Sequence, residues 1–433
     1  MNILNNMVIQ VWFFKKKSVL VLSFFLLFFT YKLQATDPFL PYLTERAPLI
    51  IRELGESVQD GVKTREMVFL SRVYEDIQGI DSVLTYAIVA RPGKGGKYPG
   101  LLLLHGGGGC AEAEKARRWA ALGYVVLSLD EPGVANSEKT PHSKGRWKNV
   151  EYGENRFIAL PDITHSTIFD AVLSSLQGLY LLREQPDVIR DKIGITGISW
   201  GGYLTTMVSG LANSMIAASF SVYGCGFYDK GTVFMKMLLN MQPEERLVWL
   251  NYLDAGRRMR EVKTPFFIAA ATNDNWFYPP AVMETLNAAQ GYTNHLFAAN
   301  ANHQIPLPGG TGENQKTGWL KMEQTFFDYY LKDMGDGLPV ITDIKHEIIK
   351  KKDTVFLKIR FKVKSSIPVA KAHINFSNRD QDWTKRKWNE IPASSKRKNR
   401  FEAFIPLEEK TDWFITISDT RPVTVSSIII SYL

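Results

Sequence analysis

Residues 197–203 read Gly-Ile-Ser-Trp-Gly-Gly-Tyr, and this stretch decides how the rest of the chain is interpreted. An apolar run, 193–196, comes directly before it, and residues 202–206 continue it in the manner of a helix. The pattern predicts a strand, a sharp turn and a helix, with Ser199 at the turn. Glycine flanks the serine because larger side chains there would collide with the neighbouring strand and helix. We therefore predict that the Ser199 hydroxyl projects above a sheet as a nucleophile.

Strand and helix patterns alternate on both sides of this motif, over residues 63–340. The continuous apolar run 100–105 is typical of a strand that is buried on both faces. Residues 163–184 carry apolar side chains at helical spacing. The other predicted strands are 67–73, 83–90, 124–129, 193–196, 217–223, 265–272 and 295–299. This alternation predicts an α/β fold, in which helices cover both faces of a mostly parallel sheet.

A nucleophilic serine requires a base, and the base requires a carboxylate that orients it. Asp274 follows the strand 265–272, and His303 follows the strand 295–299. The C-terminal ends of parallel strands meet at one edge of a sheet, which is also where the serine turn is expected. We therefore predict Ser199 as nucleophile, His303 as base and Asp274 as the supporting acid.

Two other side chains compete for these roles. His295 begins the last strand, and five strand residues at about 3.3 Å each would place it about 16 Å too far from the serine. Asp130 also ends a strand, but it precedes Ser199, and residues 131–133 have the pattern of a structural turn. We expect His295 to be a surface or strand-end residue, and we prefer Asp274 to Asp130 as the acid.

Acyl transfer passes through a negatively charged oxygen that needs preplaced N–H donors. One predicted donor is the backbone N–H of Trp200, the residue after the nucleophile. Residues 105–109 read His-Gly-Gly-Gly-Gly after a buried strand, and we expect Gly107 and Gly108 to supply the other donor. Such a mechanism needs no cofactor or metal, and the sequence contains no zinc-binding pattern, phosphate-binding loop or dinucleotide fingerprint.

Four stretches together resemble secreted bacterial hydrolases of the α/β-hydrolase fold: 197–203, 100–109, 222–227 and 272–274. These hydrolases are variously grouped with the acetyl xylan esterases and with the prolyl-oligopeptidase-like serine hydrolases. The resemblance covers roughly residues 60–335. Dienelactone hydrolases share the fold, but they carry cysteine at the nucleophile position, where this chain has serine.

The resemblance implies that Ser199, Asp274 and His303 form a catalytic triad. It also implies that Tyr223 and Trp276 contact the substrate beside Trp200. The expected partner is an ester-bearing substrate such as a polysaccharide, and nucleic acid is not expected.

The resemblance leaves the reaction open between ester and peptide hydrolysis. Prolyl-oligopeptidase relatives normally carry a large N-terminal propeller, whereas only about 60 residues precede the strand 100–105 after the predicted leader. This difference favours a carbohydrate esterase of the acetyl xylan type over a serine peptidase or amidase. A non-catalytic binding protein on the same scaffold is a third reading, which the retention of all three triad residues disfavours.

The chain has 433 residues, enough for a large catalytic domain and a smaller second one. Residues 1–35 have the basic start, apolar core (19–29) and small-residue exit of a signal peptide. We predict a secreted or periplasmic protein with no stable membrane span after cleavage. Residues 36–339 form the predicted catalytic domain, and within them the Met- and Leu-rich segment 226–262 is a candidate cap over the site.

Residues 340–433 alternate in the strand period and predict a small all-β sandwich domain. They hold nineteen Lys and Arg against eleven Asp and Glu, so this region carries the basic character of the chain. Lysine-rich clusters with Trp383 and Trp388 nearby could hold an acidic glycan; the alternative is that they are solvated loops. The clusters are 350–352, 385–387 and 396–398.

The chain contains two cysteines, Cys110 and Cys225. Each follows a predicted strand at the same edge of the sheet, so a disulfide is conceivable in an oxidising compartment. Most pairs of loops, however, miss the roughly 7 Å limit between Cα atoms. We therefore expect Cys225 to be a small buried side chain and Cys110 to be a half-exposed turn residue.

Overall fold

The computed structural model describes residues 36–76, 79–151, 153–305, 319–351, 354–408 and 410–432. The predicted signal peptide, residues 1–35, lies outside the described residues. Within the described ranges, no helix has the length and apolar character needed to cross a membrane. Residues 42–433 form one compact unit, and the predicted domain boundary after residue 339 stays a prediction.

The main sheet contains nine strands within the described residues, in the spatial order β1-β2-β3-β5-β4-β6-β7-β8-β9. The strands from β5 and β4 to β9 pair in parallel, whereas β1, β2 and β3 form antiparallel hairpins at one side. This arrangement confirms the predicted α/β fold with a mostly parallel sheet. The strands are β1 (Ile50–Gln59), β2 (Val62–Asp76), β3 (Gly79–Pro92), β4 (Tyr98–Leu104), β5 (Val125–Leu129), β6 (Val188–Ile198), β7 (Ala218–Val222), β8 (Phe266–Ala271) and β9 (Thr293–Ala298).

Strand β1 was not predicted from the sequence. Its residues, Ile-Ile-Arg-Glu-Leu-Gly-Glu-Ser-Val-Gln, are mostly exposed, since it is the edge strand of the sheet. An edge strand that buries neither face lacks the alternation of apolar and polar residues by which strands are recognised. The central strand β4 is the opposite case, because the side chains of Leu101 to Leu104 are fully buried, as its continuous apolar run predicted.

Helices connect the parallel strands. The predicted helix 163–184 is observed from Thr167, because the Ser166 side chain accepts the N–H of Ile168 at 3.2 Å and caps the helix there. The described helices are α1 (Ala113–Ala121), α2 (Thr167–Arg183), α3 (Trp200–Ala212), α4 (Tyr228–Gly231), α5 (Met235–Asn240), α6 (Pro243–Tyr252), α7 (Pro279–Ala288) and α8 (Trp319–Lys332).

The C-terminal region, residues 340–432, forms two antiparallel sheets in its described part, one ordered β10-β11-β15-β14 and the other β13-β12-β16-β17 with β18 beside β16. Leu357, Ile359, Phe361 and Val363 alternate with less buried residues on β11 and form part of the core. The predicted all-β region is therefore confirmed. Its strands are β10 (Val340–Lys351), β11 (Thr354–Lys364), β12 (Val369–Asn378), β13 (Asn389–Pro392), β14 (Ser394–Arg397), β15 (Arg400–Pro406), β16 (Thr411–Asp419), β17 (Thr424–Ser426) and β18 (Ile430–Ser431).

The C-terminal region packs against β9, the last strand of the main sheet. The Phe297 N–H donates to Ser426 Oγ at 2.8 Å, and the rings of Phe297 and Phe414 lie 6.2 Å apart. His295 lies in β9 with a buried Nε2 atom, and burial lowers the pKa of its imidazole to about 4. We expected a surface or strand-end residue; His295 lies near the start of β9 and is partly buried, because the C-terminal region, which the sequence did not place here, packs against this strand.

Candidate active site

Ser199 lies at the turn between β6 and α3. Its backbone has φ 57° and ψ −113°, a conformation that residues with a side chain rarely adopt. The Ser199 N–H donates to the carbonyl of Val222 at 2.9 Å, and its own carbonyl accepts the N–H of Tyr203 at 2.9 Å. These two bonds hold the turn between the neighbouring strand and the first turn of the helix.

The glycines of the motif are required by close backbone contacts. A Cβ atom on Gly201 would lie 2.3 Å from the carbonyl oxygen of Leu104, and one on Gly197 would lie 2.3 Å from the carbonyl oxygen of Gly201. Both distances are far shorter than any real contact, and backbone atoms cannot rotate away. Glycine at positions 197 and 201 therefore allows α3 to pack directly against the backbone at the ends of β4 and β6.

Ser199, His303 and Asp274 come together at the C-terminal edge of the sheet. His303 Nε2 lies 2.9 Å from Ser199 Oγ, and His303 Nδ1 lies 2.9 Å and 3.1 Å from the two carboxylate oxygens of Asp274. The Nδ1–H group donates a hydrogen bond to the carboxylate, so the unprotonated Nε2 is left to accept the serine proton. This geometry suits transfer of a proton from the hydroxyl to the imidazole.

The Asp274 carboxylate is held in place by its own loop. Its side chain is almost fully buried. One carboxylate oxygen accepts the N–H groups of Trp276 at 2.7 Å and Phe277 at 3.1 Å. Asn302 ties this loop to the base, because its side-chain oxygen accepts the N–H of Asn275 at 3.0 Å and the N–H of His303 at 2.7 Å.

Both loops are also bound to a segment of the C-terminal region, residues 384–388. The Asn273 side chain donates to the carbonyl of Arg386 at 2.6 Å. The Asn300 side chain donates to the carbonyl of Trp388 at 2.7 Å and accepts its N–H at 2.8 Å. Asn273 directly precedes the acid, and Asn300 lies three residues before the base. Sequence reasoning missed these contacts, since a hydrogen bond to a distant main chain leaves no motif.

Asp130, the other candidate acid, has a different environment. Its carboxylate is buried and accepts the N–H of Ala111 at 2.9 Å and the hydroxyl of Ser143 at 2.7 Å. It therefore holds the chain that follows the glycine loop, whereas the carboxylate beside His303 is that of Asp274.

The two donors predicted in the glycine loop, Gly107 and Gly108, have different surroundings. The N–H of Gly108 donates to the carbonyl of Val134 at 2.8 Å, so it is engaged in the fold. The carbonyl of Gly106 accepts the N–H of Gly109 at 3.0 Å. Because C=O and N–H point in opposite directions in a trans peptide, the N–H of Gly107 points away from that carbonyl. Gly107 lines the cavity, and the prediction of Gly108 as a donor was wrong.

Trp200 is the first residue of α3, so its N–H has no acceptor within the helix. It lies directly after Ser199, and its side chain lines the cavity. The N–H groups of Trp200 and Gly107, both residues that line the cavity, stay the predicted donors to a developing oxyanion.

A buried pair of His105 and Glu131 supports the glycine loop. His105 Nδ1 lies 2.7 Å from the carbonyl of Gly106, and Nε2 accepts the N–H of Glu131 at 3.0 Å. These partners match a neutral imidazole with its proton on Nδ1, and burial lowers its pKa to about 4. Burial also raises the pKa of the Glu131 carboxyl, which accepts the N–H of His105 at 2.7 Å. The sequence suggested only a structural turn at Glu131.

A cavity of about 730 Å³ opens at Ser199 and His303. Tyr223 and Trp276, the predicted substrate contacts, both line it. The Tyr223 ring lies 4.3 Å from the imidazole of His303, and burial together with the Asp274 charge raises the pKa of its hydroxyl to about 12. Sequence reasoning missed other apolar lining residues, which are Val134, Phe157, Ile168, Ile198, Val233, Phe234, Met237 and Phe277.

The remaining predictions concern residues outside this cavity. Cys110 is partly exposed, Cys225 is buried, and both are free thiols in the structure. Of the two tryptophans suggested for glycan binding, Trp388 is buried, and the Arg386 guanidinium lies 3.3 Å above the ring of Trp383. The Trp388 ring is therefore not available to a glycan, and one face of Trp383 is covered.

The fold and the site define an α/β-hydrolase. Residues 85–311 match the dienelactone hydrolase family, and this match spans more than half of the chain. The chain therefore belongs to the dienelactone hydrolase family and is a hydrolase of that type. A search of the curated proteins finds no match.

Solved structures of hydrolases are similar to this chain. Acetyl xylan esterase 1 from a Thermoanaerobacterium species has 19% identity and a TM-score of 0.54, with 67% of this chain and 92% of that chain covered. An acetyl xylan esterase from a Paenibacillus species has 16% identity and a TM-score of 0.50, with the same 67% and 92% covered. The Pyrococcus horikoshii acylaminoacyl peptidase has 15% identity and a TM-score of 0.45, with 67% and 57% covered.

Proposed function

We propose that this chain is a secreted serine hydrolase that cleaves carboxylic esters through an acyl-enzyme. The observation that carries the proposal is the pair of 2.9 Å contacts that His303 makes to Ser199 and Asp274. Ser199 Oγ attacks the ester carbonyl while His303 Nε2 accepts its proton. The negative oxygen of the tetrahedral intermediate accepts the N–H groups of Gly107 and Trp200.

The intermediate collapses when the carbon–oxygen bond to the alcohol breaks and His303 returns the proton to that alcohol. Water then enters, His303 removes its proton, and the hydroxide attacks the acyl carbonyl. Collapse of the second intermediate releases the acid and restores the Ser199 hydroxyl. The Asp274 carboxylate stabilises the imidazolium in both halves of the cycle.

The substrate we propose is a carbohydrate ester, as in acetyl xylan esterases. Two structures of that name share the fold of this chain, and this likeness supports the proposal by analogy. A serine peptidase or amidase is the alternative. Among the described residues that line the cavity, none is Asp or Glu, so no lining carboxylate would bind a free amino terminus. This lining favours the esterase.

The basic residues 15–17 and the apolar run 19–29 support secretion. If the predicted signal peptide is cleaved, protein recovered outside the cytoplasm will begin near Thr36 when its N-terminus is sequenced. Recovery of the intact N-terminus from the cytoplasm would contradict this part of the proposal.

The function is tested by the change Ser199→Ala. Turnover of methyl acetate, followed by titration of the released acid, should fall by about a million-fold, while the circular dichroism spectrum stays the same. A fluorophosphonate should label Ser199 in the parent protein and nothing in the variant. Ser137→Ala, in a loop away from the cavity lining, is the matched control and should keep full activity.

Two further results distinguish the alternatives. Hydrolysis of acetylated xylan without hydrolysis of a peptidyl anilide is expected for the esterase, and the reverse preference would identify the peptidase. Label on another serine, or full activity in the Ser199 variant, would overturn the assignment of the nucleophile.

A further inference from the structure

The cavity has an aromatic wall that begins beside the nucleophile. Trp200 follows Ser199 directly, and its ring lies 5.6 Å from Phe157 and 5.3 Å from Phe234. Phe157 and Phe234 are 5.3 Å apart. These three rings come from three separate parts of the chain, and all of them line the cavity.

The wall continues from Phe234 to the base. The Phe234 ring lies 6.0 Å from Trp276 and 6.0 Å from Phe277. Phe277 and Trp276 in turn lie 6.2 Å and 6.3 Å from the His303 ring. Phe234 is therefore the centre of a surface that runs from the serine to the imidazole. All of these separations fall in the range in which aromatic rings interact favourably.

The size of the cavity exceeds what an acetyl group requires. Its volume of about 730 Å³ is in the range of pockets that enclose a whole small molecule. The two carbons of an acetyl group would fill a small part of it and leave the rest of the cavity, including the 43% exposed ring of Trp276, to water. Binding of an apolar group over such a surface is favourable, because it removes apolar area from water.

The polar groups of the lining argue against a sugar ring at this wall. Among the described lining residues, no side chain is Asp, Glu, Asn or Gln. Arg156 and Lys236 also line the cavity, but both side chains are donors only, and the Arg156 guanidinium already donates to the backbone carbonyl of Gly133. A sugar brings several hydroxyls that each need an acceptor and a donor, and unpaired hydroxyls in a dry pocket cost free energy. An apolar ring has no such requirement.

We propose that the substrate ester carries an aromatic ring, on its acyl or its alcohol side, and that Phe157, Phe234 and Trp276 bind this ring. The inference rests on the ester hydrolysis proposed above and names the chemical class of its substrate. The carbohydrate part of a substrate would then lie outside the aromatic wall, toward the mouth of the cavity.

Two substrate series test the proposal on the purified full-length protein, with acid release followed by titration. The first varies the acyl side and compares methyl acetate with methyl 3-phenylpropanoate. The second varies the alcohol side and compares methyl acetate with benzyl acetate. In one of the two series, the aromatic ester should have a kcat/KM roughly 10- to 200-fold above that of methyl acetate, the range for added apolar contacts in a pocket.

Variants connect any such preference to the wall. Phe234→Ala should reduce the ratio of kcat/KM for the aromatic ester to kcat/KM for methyl acetate by about tenfold or more. Trp276→Ala should act in the same direction, and its ring is 43% exposed, so the fold tolerates its loss. Leu239→Ala is the matched control, because Leu239 lies in the same segment, is 63% exposed and does not line the cavity.

The outcomes separate the two proposals. Hydrolysis of methyl acetate with no preference for either aromatic ester would overturn this inference and leave the proposed ester hydrolysis intact. A preference that survives both Phe234→Ala and Trp276→Ala would overturn the assignment of the wall. Failure to hydrolyse any ester would overturn the proposed function, and with it this inference.

Discussion

The proposed nucleophile, Ser199, and the two side chains proposed to support it are held in place in different ways. Ser199 is positioned by close backbone packing, through its N–H contact to Val222 and the close approach of Gly201 to Leu104. The acid and base loops depend on residues 384–388, through contacts of Asn273 and Asn300 that span 113 and 88 residues. Close backbone packing allows only glycine at the contact and so forms a motif, whereas a side-chain hydrogen bond to a distant main-chain group leaves the partner's residue type free and forms none.

The segment 384–388 is itself anchored by buried charges. The Arg386 guanidinium lies 2.5 Å from one oxygen of Asp412, and Arg379 lies 2.9 Å from the other. Asp412 and Arg386 are both buried, so the removal of Asp412 would leave the Arg386 guanidinium without its compensating charge. The C-terminal region therefore offers the acid and base loops a rigid support.

The largest expected effect is on turnover, and it should separate His303, which follows β9, from His295, which lies within it. His303→Ala should lower turnover about as much as Ser199→Ala, because the serine loses its proton acceptor. His295→Ala should leave turnover near the parent value and lower the melting temperature, since its side chain is partly buried beside Ser427 of the C-terminal region. Measurement of kcat and thermal unfolding on both variants decides the assignment, and the reverse result would mean that the base is His295.

The next effect disturbs the close packing of α3 against the end of β4. Gly201→Ala places a Cβ atom 2.3 Å from the Leu104 carbonyl, and we expect a loss of about 3 kcal/mol in the free energy of unfolding. Fluorophosphonate labelling of Ser199 should be lost with it. Gly95→Ala is the control, because a Cβ there meets no atom within 4 Å. A Gly201 variant with native stability would contradict the close approach.

A smaller effect comes from breaking the hydrogen bonds between the loop that carries His303 and residues 384–388. Asn300→Ala removes both bonds to Trp388 and should lower kcat by roughly 10- to 100-fold with little change in KM, because the base loop shifts. Asn294→Ala is the matched control, since its amide also donates to a main-chain carbonyl, that of Pro339, at 2.9 Å. We expect it to lower the melting temperature without a change in kcat. Equal kcat values for the two variants would argue against a positioning role for Asn300.

The smallest effect concerns the strand that leads to the nucleophile. The Thr196 hydroxyl in β6 donates to the buried carboxyl of Glu323, and burial raises the pKa of Glu323 to about 7. Between about pH 4.5 and pH 7 the unfolded chain binds fewer protons at this residue than the folded one, so stability falls as pH rises. Glu323→Gln should flatten this part of the melting temperature profile. An unchanged slope would contradict the raised pKa.

Sequence reasoning succeeded where burial or close packing restricts the residue type, and it failed where neither does. The strands 100–105 and 265–272 were predicted because burial on both faces requires continuous apolar residues. The glycine loop was predicted, but which N–H faces the cavity was not, since Gly108 reaches Val134 across a separate loop. Phe157 was missed because it ends a short 3-10 turn in an irregular segment, where no periodicity marks a lining residue.

The amino-acid sequence by itself determined the order of strands and helices, the serine turn and the chain order of nucleophile, acid and base. It did so because backbone collisions and burial restrict the residue types that are allowed at those positions. Only the tertiary structure decided that a C-terminal region supports the acid and base loops and that Phe157, Phe234 and Trp276 form one wall. Those features depend on contacts between distant segments, and such contacts place almost no restriction on the residues beside them.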